Sequence, residues 1–190
     1  FAFMRDDAAS RATTAGLMTG ITVQQQADCV YAVLGPAGLH KGHARLVVIL
    51  GHGSTSLNNP YESAYCCQAC GGHSGAPNAR LFAIMANRPA VREALRLRGV
   101  VIPEDTWFLG GYHDTCSEDI HFFDLDLLPE THHGDLVRVH QSLDKARTLN
   151  AHERSRRFEA AGHDISPDSS LRHVQERAEH IGEPRPEYGH

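Results

Sequence analysis

The residues from Arg45 to Arg80, RLVVILGHGSTSLNNPYESAYCCQACGGHSGAPNAR, limit what this chain can fold into more than any other stretch. They open on an unbroken apolar run, Leu46-Val47-Val48-Ile49-Leu50, that stops at Gly51-His52-Gly53. An apolar run closed by glycine has the pattern of a strand buried on both faces, as in the parallel sheets of α/β proteins. Ligands of such sheets bind just past the carboxyl ends of the strands. The run therefore predicts a strand over 46–50 and places His52 at its ligand end. Cys66, Cys67, Cys70 and the pair Gly71-Gly72 follow one polar loop later. The same residues also allow a plainer reading, a core strand and a structural loop whose cysteines are incidental.

A chain of 190 residues, 41% hydrophobic and 22% charged, is long enough for a domain with a substantial core. Its net charge of −5 argues against nucleic acid as a partner. No apolar run reaches the ~20 residues of a membrane-spanning helix, and no segment reads as a signal peptide. Phe1 is not a natural start residue, so a segment of a longer protein is expected. The five cysteines are odd in number and three of them fall between Cys66 and Cys70. That pattern speaks for a reducing compartment and for metal use rather than a disulfide framework. Fourteen histidines are many; those in the C-terminal third are expected mostly on the solvated surface.

Outside the central stretch, helical and strand patterns alternate. Thr22 and Gln25 have the spacing of a capping box, and Ala27, Val30, Tyr31 and Leu34 then line one helix face up to Gly35-Pro36. Cys29 is expected on the buried side of that helix, as a small apolar residue. Asn58-Asn59-Pro60 is a turn signal. Leu81, Phe82 and Met85 predict a helix over 78–87. Pro89 and Gly99 bracket another, with Val91, Leu95 and Leu97 inward and Arg92, Arg96 and Arg98 in water. Thr106 to His113 reads as a second buried strand, Asp114 to Asp119 as a loop, and Ile120 to Leu125 as a third strand. From about Asp135 to Ala161 the residues Leu136, Val139, Leu143, Ala146, Leu149 and Phe158 predict a long amphipathic helix. Its outer face would carry Arg138, Lys145, Arg147, Arg154, Arg156 and Arg157 among Asp135, Asp144, Glu153 and Glu159; the mixed signs favour an ordinary solvated face over a partner's dock. Ser166-Pro167 opens a last short helix to about His180.

Histidine and cysteine together point to zinc, which prefers neutral imidazole and thiolate in tetrahedral sites. His52 and Cys67, fifteen positions apart, can both serve if the loop folds back to the strand end. Cys67-Gln68-Ala69-Cys70 is a CxxC, but no second CxxC or HxxxH accompanies it. His73 and His113 are further candidates, against the alternatives of an exposed loop histidine and a satisfied buried one. No GxSxG, GxGxxG or Walker pattern is present, which removes the nucleophile elbow and the nucleotide loop. A thiol redox protein using Cys67 and Cys70 is a rival, although such a CxxC normally follows a strand directly. A structural zinc module that only shapes a protein-binding loop is the other.

Several separated segments, GHGSTSLNNPYESAYCCQACGG, PNAR, DTWFLGGYHDTC and FFDLDLLP, occur in an order that resembles the DabA family of probable inorganic-carbon transporter subunits. The resemblance runs from about Ile21 to Tyr188. It implies an α/β fold, a β-carbonic-anhydrase-like sheet flanked by helices, incomplete in this chain and followed by a long C-terminal amphipathic helix. Residues 1–130 would be part of the zinc domain and 131–190 a helical extension. The family's zinc is held by two cysteines, a histidine and an aspartate. The histidine of its GHG motif corresponds to His52, and the cysteine that opens its CxAC pattern corresponds to Cys67. Cys66 beside it leaves the choice of thiolate open on chemistry alone, and Gln68 stands where the family pattern has glycine. The other two ligands, and the family's aspartate–arginine dyad, belong to an upstream segment absent here, so no catalytic residue is assigned in this chain. Asn58, Asn59, Asn78 and Arg80 are candidates for orienting the ligands, or else turn and cap residues. The resemblance further implies hydration of carbon dioxide to bicarbonate, a peripheral place on the cytoplasmic side of the cell inner membrane, and a DabB-type proton-conducting membrane subunit as partner.

Overall fold

The computed structural model describes residues 20–54, 72–157, 161–162 and 164–179. The chain divides into two compact units, one formed by residues up to His43 with Met85–Glu104 and the other by Ala44–Ile84 with the residues from Asp105 onward.

The first unit is helical. Helix α1 (Val23–Leu34) starts where the sequence predicts, because Thr22 and Gln25 satisfy each other's backbone: the Gln25 N–H donates to Thr22 Oγ1 at 3.2 Å and the Thr22 N–H donates to Gln25 Oε1 at 2.9 Å. Gly35 ends the helix, its N–H bonded to the Tyr31 carbonyl at 2.8 Å. The buried stripe is Gln26, Ala27, Val30 and Leu34, and Cys29 is exposed. This corrects the expectation for Cys29. At about 100° per residue, position 29 lies about 130° round the helix from the centre of the stripe formed by 27, 30 and 34. Gln26 is buried in its place, its amide donating to the Ile21 carbonyl and its oxygen accepting from Arg88.

Two further helices follow the first strand in sequence: α2 (Ala76–Ala86), of which Met85 and Ala86 fall in this unit, and α3 (Pro89–Arg96), which packs on α1. Pro89 stands in the first turn of α3, where its missing N–H costs nothing. Val91 and Leu95 are fully buried, but Leu97 is 77% exposed. The helix ends at Arg96, and Leu97 points about 200° away from Leu95. Arg92 also departs from the reading as a solvated residue: its guanidinium turns back to the carbonyls of Ala86 and Pro103 and to Asn87 Oδ1. Arg98 pairs with Asp28 at 2.7 Å and lies over the Tyr31 ring. Long cationic side chains can lay their aliphatic stems on apolar surface while their heads find acceptors.

The second unit is built on a three-stranded sheet of order β1-β2-β3. Strands β1 (Leu46–Gly53) and β2 (Trp107–Asp114) run parallel, in register from Leu46 with Trp107 to Gly53 with Asp114. Strand β3 (Ile120–Phe122) returns antiparallel to β2. The core lies between the sheet and α2, where Phe82 meets Phe108 edge to face and Ala76, Ala79 and Ala83 are buried. The small residues have a clear reason: a Cβ on Gly110 would stand 2.8 Å from the Arg80 Cα, so helix and strand touch backbone to backbone.

Helix α4 (His133–Ser155) is the long helix the sequence predicts, but its inner face is not the apolar stripe. Leu136, Val139 and Leu143 are only half buried, and Ala146 and Leu149 are exposed. In its second half Ala151 and Ser155 are buried, and Arg147 and Arg154, assigned to the outer face, turn inward. Acidic acceptors in the loop after β2 account for this inversion, as described below. The helix starts at a fixed place because His132 is buried, with one ring nitrogen at the Asp105 carbonyl and the other at Thr131 Oγ1. Helix α5 (Pro167–Glu179) packs on α4 through Val174 and Ala151, and Ser166 caps it through the Ser169 N–H. Phe158 lies outside the described residues. Among the described residues, no helix is long and apolar enough to cross a membrane.

Candidate metal centre

The strand that carries His52 runs three residues further than the apolar run suggests. Gly51, His52 and Gly53 all belong to β1, so the histidine stands within the strand rather than in the loop after it. The glycines are there for space, not for a turn. A Cβ on Gly51 would lie 2.3 Å from the backbone of Gly75, and one on Gly53 would lie 2.3 Å from the Tyr112 ring. The chain that returns from the loop is pinned to this spot, since the Gly75 N–H donates to the His52 carbonyl at 2.7 Å. Both glycines face the side where Gly75 and Ala76 lead into α2. By strand alternation the His52 side chain faces the other side.

His113 stands beside it. The two histidines are register partners at the carboxyl ends of β1 and β2, so their side chains leave the same face of adjacent strands about 4.8 Å apart. His113 Nε2 meets Glu118 Oε2 at 2.9 Å. Glu118 is 1% exposed, has a left-handed backbone (φ 61°), and reaches back from the loop between β2 and β3. Its other oxygen accepts from Asn150 Nδ2 at 2.7 Å and from Arg154. Arg154 also donates to the Thr115 carbonyl, and Arg147 pairs with Asp119 at 3.1 Å. Residues 147, 150 and 154 share one face of α4. That face is polar because it grips an acidic loop, and the apolar spacing 136, 139, 143 does not continue along it.

The loop itself is tied down at its start. Asp114, buried at the end of β2, accepts the N–H groups of Cys116 and Ser117 on Oδ1. Thr115 donates to the Gly53 carbonyl through both its N–H and its hydroxyl. Ser54 Oγ and Cys116 Sγ, both buried, meet at 2.9 Å and join the end of β1 to the same loop. The strand ends thus form a rigid shelf, with two imidazoles on one face.

Of the residues singled out in the sequence, the structure brings His52 and His113 together. His73 is exposed, before α2, and Asn78 is an exposed residue in its first turn. Arg80 forms a two-pronged pair with Asp124, at 2.8 and 2.5 Å, that ties α2 to the segment after β3. Cys66, Cys67, Cys70, Asn58 and Asn59 lie outside the described residues. Among the described residues, no three histidine, cysteine or acidic side chains gather as a metal cage. The donor chemistry of His52, an imidazole at the end of a parallel strand pair, still fits a zinc ligand. Glu118, Asn150 and Arg154 escaped the sequence reading. The signal was there in the i, i+4 pair Asn150 and Arg154 on a helix whose apolar stripe fades.

The chain matches, over residues 3–190, the family described as "Probable inorganic carbon transporter subunit DabA". It is 44% identical over 171 residues to the probable inorganic carbon transporter subunit DabA 2 of Rhodopirellula baltica, a match covering 90% of this chain and 16% of the relative. It is 50% identical over 169 residues to the DabA 2 of Sorangium cellulosum, with 89% and 17% covered. With the DabA of Methylococcus capsulatus it shares 50% identity over 171 residues, 90% of this chain and 16% of that one. The chain therefore spans 16–17% of the length of these relatives. No solved structure matches it.

Proposed function

The chain belongs to the DabA family, and we propose that it supplies half of a zinc site with which a longer inorganic-carbon transporter subunit hydrates carbon dioxide to bicarbonate. The observation that carries this reading is the position of His52: an imidazole at the carboxyl end of a parallel strand pair, in a strand where Gly51 lets the returning chain close on its backbone. His52 and Cys67 would hold the metal together with two ligands from elsewhere in the subunit, in a site of β-carbonic-anhydrase type. When bound, zinc would supply the acidity that makes water a nucleophile near neutral pH. The residues of this chain bind and orient. Gly51 and Gly53 set the level of His52, and the Gly75–His52 bond brings back the segment that follows the cysteines. Thr115, Asp114 and the Ser54–Cys116 contact hold the neighbouring loop still. A DabB-type proton-conducting membrane subunit would be the partner, with the chain on the cytoplasmic side of the inner membrane.

Zinc content per chain in the full-length subunit tests the reading, measured beside His52→Ala and Cys67→Ser. About one zinc in the parent and its loss from both variants is the expected result. Zinc retained in both variants would sink the assignment, and the Cys67–Cys70 redox reading would replace it if those thiols then cycle with dithiol reagents.

A further inference from the structure

Nothing above gives Glu118 a part in the chemistry, yet it is the most deeply buried acidic group in the described chain and its bonds lead straight to the strand ends. Its Oε1 is taken by two groups that can only donate, Asn150 Nδ2 and Arg154. Oε2 remains for His113, and a carboxylate there accepts. His113 thus donates its Nε2–H to that oxygen, and its ring is fixed in orientation. This ring is the register partner of His52.

We propose that Glu118 is the positioning residue of the strand-end site: anchored by Arg154 and Asn150 of α4, it locks the ring of His113 beside His52, and so makes the long helix a determinant of metal-site geometry. The proposal rests on the reading of His52 as a zinc ligand. It assigns His113 no bond to the metal; its contribution is an imidazole of fixed orientation on the strand next to a ligand. Removing such supports typically weakens metal binding by about 10- to 100-fold. The left-handed backbone of Glu118 is consistent with this role, because a non-glycine residue held there is fixed by its surroundings.

The test uses the full-length subunit, with zinc affinity from chelator competition and the visible spectrum of the cobalt-substituted protein as readouts. Glu118→Gln keeps the side-chain shape but offers His113 an amide. His113→Gln removes the ring and leaves the Glu118–Arg154 pair in place, so it remains informative if the first variant folds poorly. Arg147→Ala breaks the neighbouring grip of α4 on Asp119 without touching Glu118 and controls for general loosening of the loop. The expected result is zinc affinity lower by about 10- to 100-fold and an altered cobalt spectrum in Glu118→Gln and His113→Gln, with Arg147→Ala within about twofold of the parent. If His52→Ala loses zinc while both of those variants keep parental affinity and spectrum, the positioning role falls and the zinc reading stands. If Arg147→Ala weakens zinc as much as Glu118→Gln, the effect is loop stiffness and the proposal is overturned. If His52→Ala itself keeps zinc, both readings fall together.

Discussion

His52 and His113 face each other across one rung of the same sheet, and they are held in opposite ways. At the end of β1 the backbone does the holding: glycines on either side of His52 let the Gly75 segment and the Tyr112 ring close in until no methyl group fits. At the end of β2 side chains do it: a buried carboxylate, an amide and a guanidinium from a distant helix fix the ring. Backbone closeness is unforgiving and local. A polar clamp is adjustable and ties the ring to an element 32 residues along the chain from Glu118 to Asn150. A site built from both has one rigid wall and one that another part of the molecule can set.

The sharpest way to break this contrast is to add one carbon to the rigid wall. Gly51→Ala would place its Cβ 2.3 Å from the carbonyl carbon and oxygen of Gly75 and 2.6 Å from the Ala76 nitrogen, all backbone atoms. None can swing aside without moving the start of α2. Overpacking of this kind costs about 3 kcal/mol or more. The expected outcome, read by chemical denaturation, is loss of most of the stability of the β1–α2 region, together with poor soluble yield. A near-parental midpoint would show that the β1 end yields after all, and the distinction between the two walls would go.

Gly53→Ala sharpens the same point with a smaller effect. The obstacle there is the half-buried Tyr112 ring, at 2.3 Å from the added carbon, and not backbone. The ring can turn, giving up its stacking on His121, so about 1 kcal/mol is expected. A cost equal to that of Gly51→Ala would mean the ring is as immovable as the backbone. The ratio of the two measured effects is thus a direct reading of how much of the wall is main chain.

These contrasts mark how far the sequence could be read. The β1 strand, the Thr22 capping box, the Pro89 helix start and the β2 strand are short-range patterns, and the structure has all four. Leu97 and Cys29 show that apolar character alone does not set a residue's side: the helical angle turns both away from the buried stripe. Arg147 and Arg154 are a different kind of failure. A cation on a helix reads as solvated unless its acceptor is known, and the acceptors here, Asp119 and Glu118, lie 28 and 36 residues away in a loop with no regular pattern. The role of the glycines was half legible: GHG signalled a strand end, but only packing shows that the glycines make room and that the strand continues through them. The pairing of His52 with His113 depends on the register of a parallel pair joined by a long crossover, which no local pattern specifies.

A third histidine lies beside a cation, and carries the smallest effect. His43, in the first unit, is pushed below its ordinary value of 6.5, first by burial and then by the positive charge of Arg92. Its folded-state affinity for protons is therefore lower than in the unfolded chain. Below pH 6.5 the unfolded chain takes up a proton that the folded one refuses, so stability falls as the pH drops from that value towards the lowered one and then levels off. Above 6.5 this histidine contributes no pH dependence. His43→Gln should remove that component, so the stability difference between variant and parent should shift in the variant's favour from about pH 8 to about pH 5. Urea unfolding of both proteins across that range reads it directly. Parallel pH profiles would mean that the charged ring is accommodated beside Arg92.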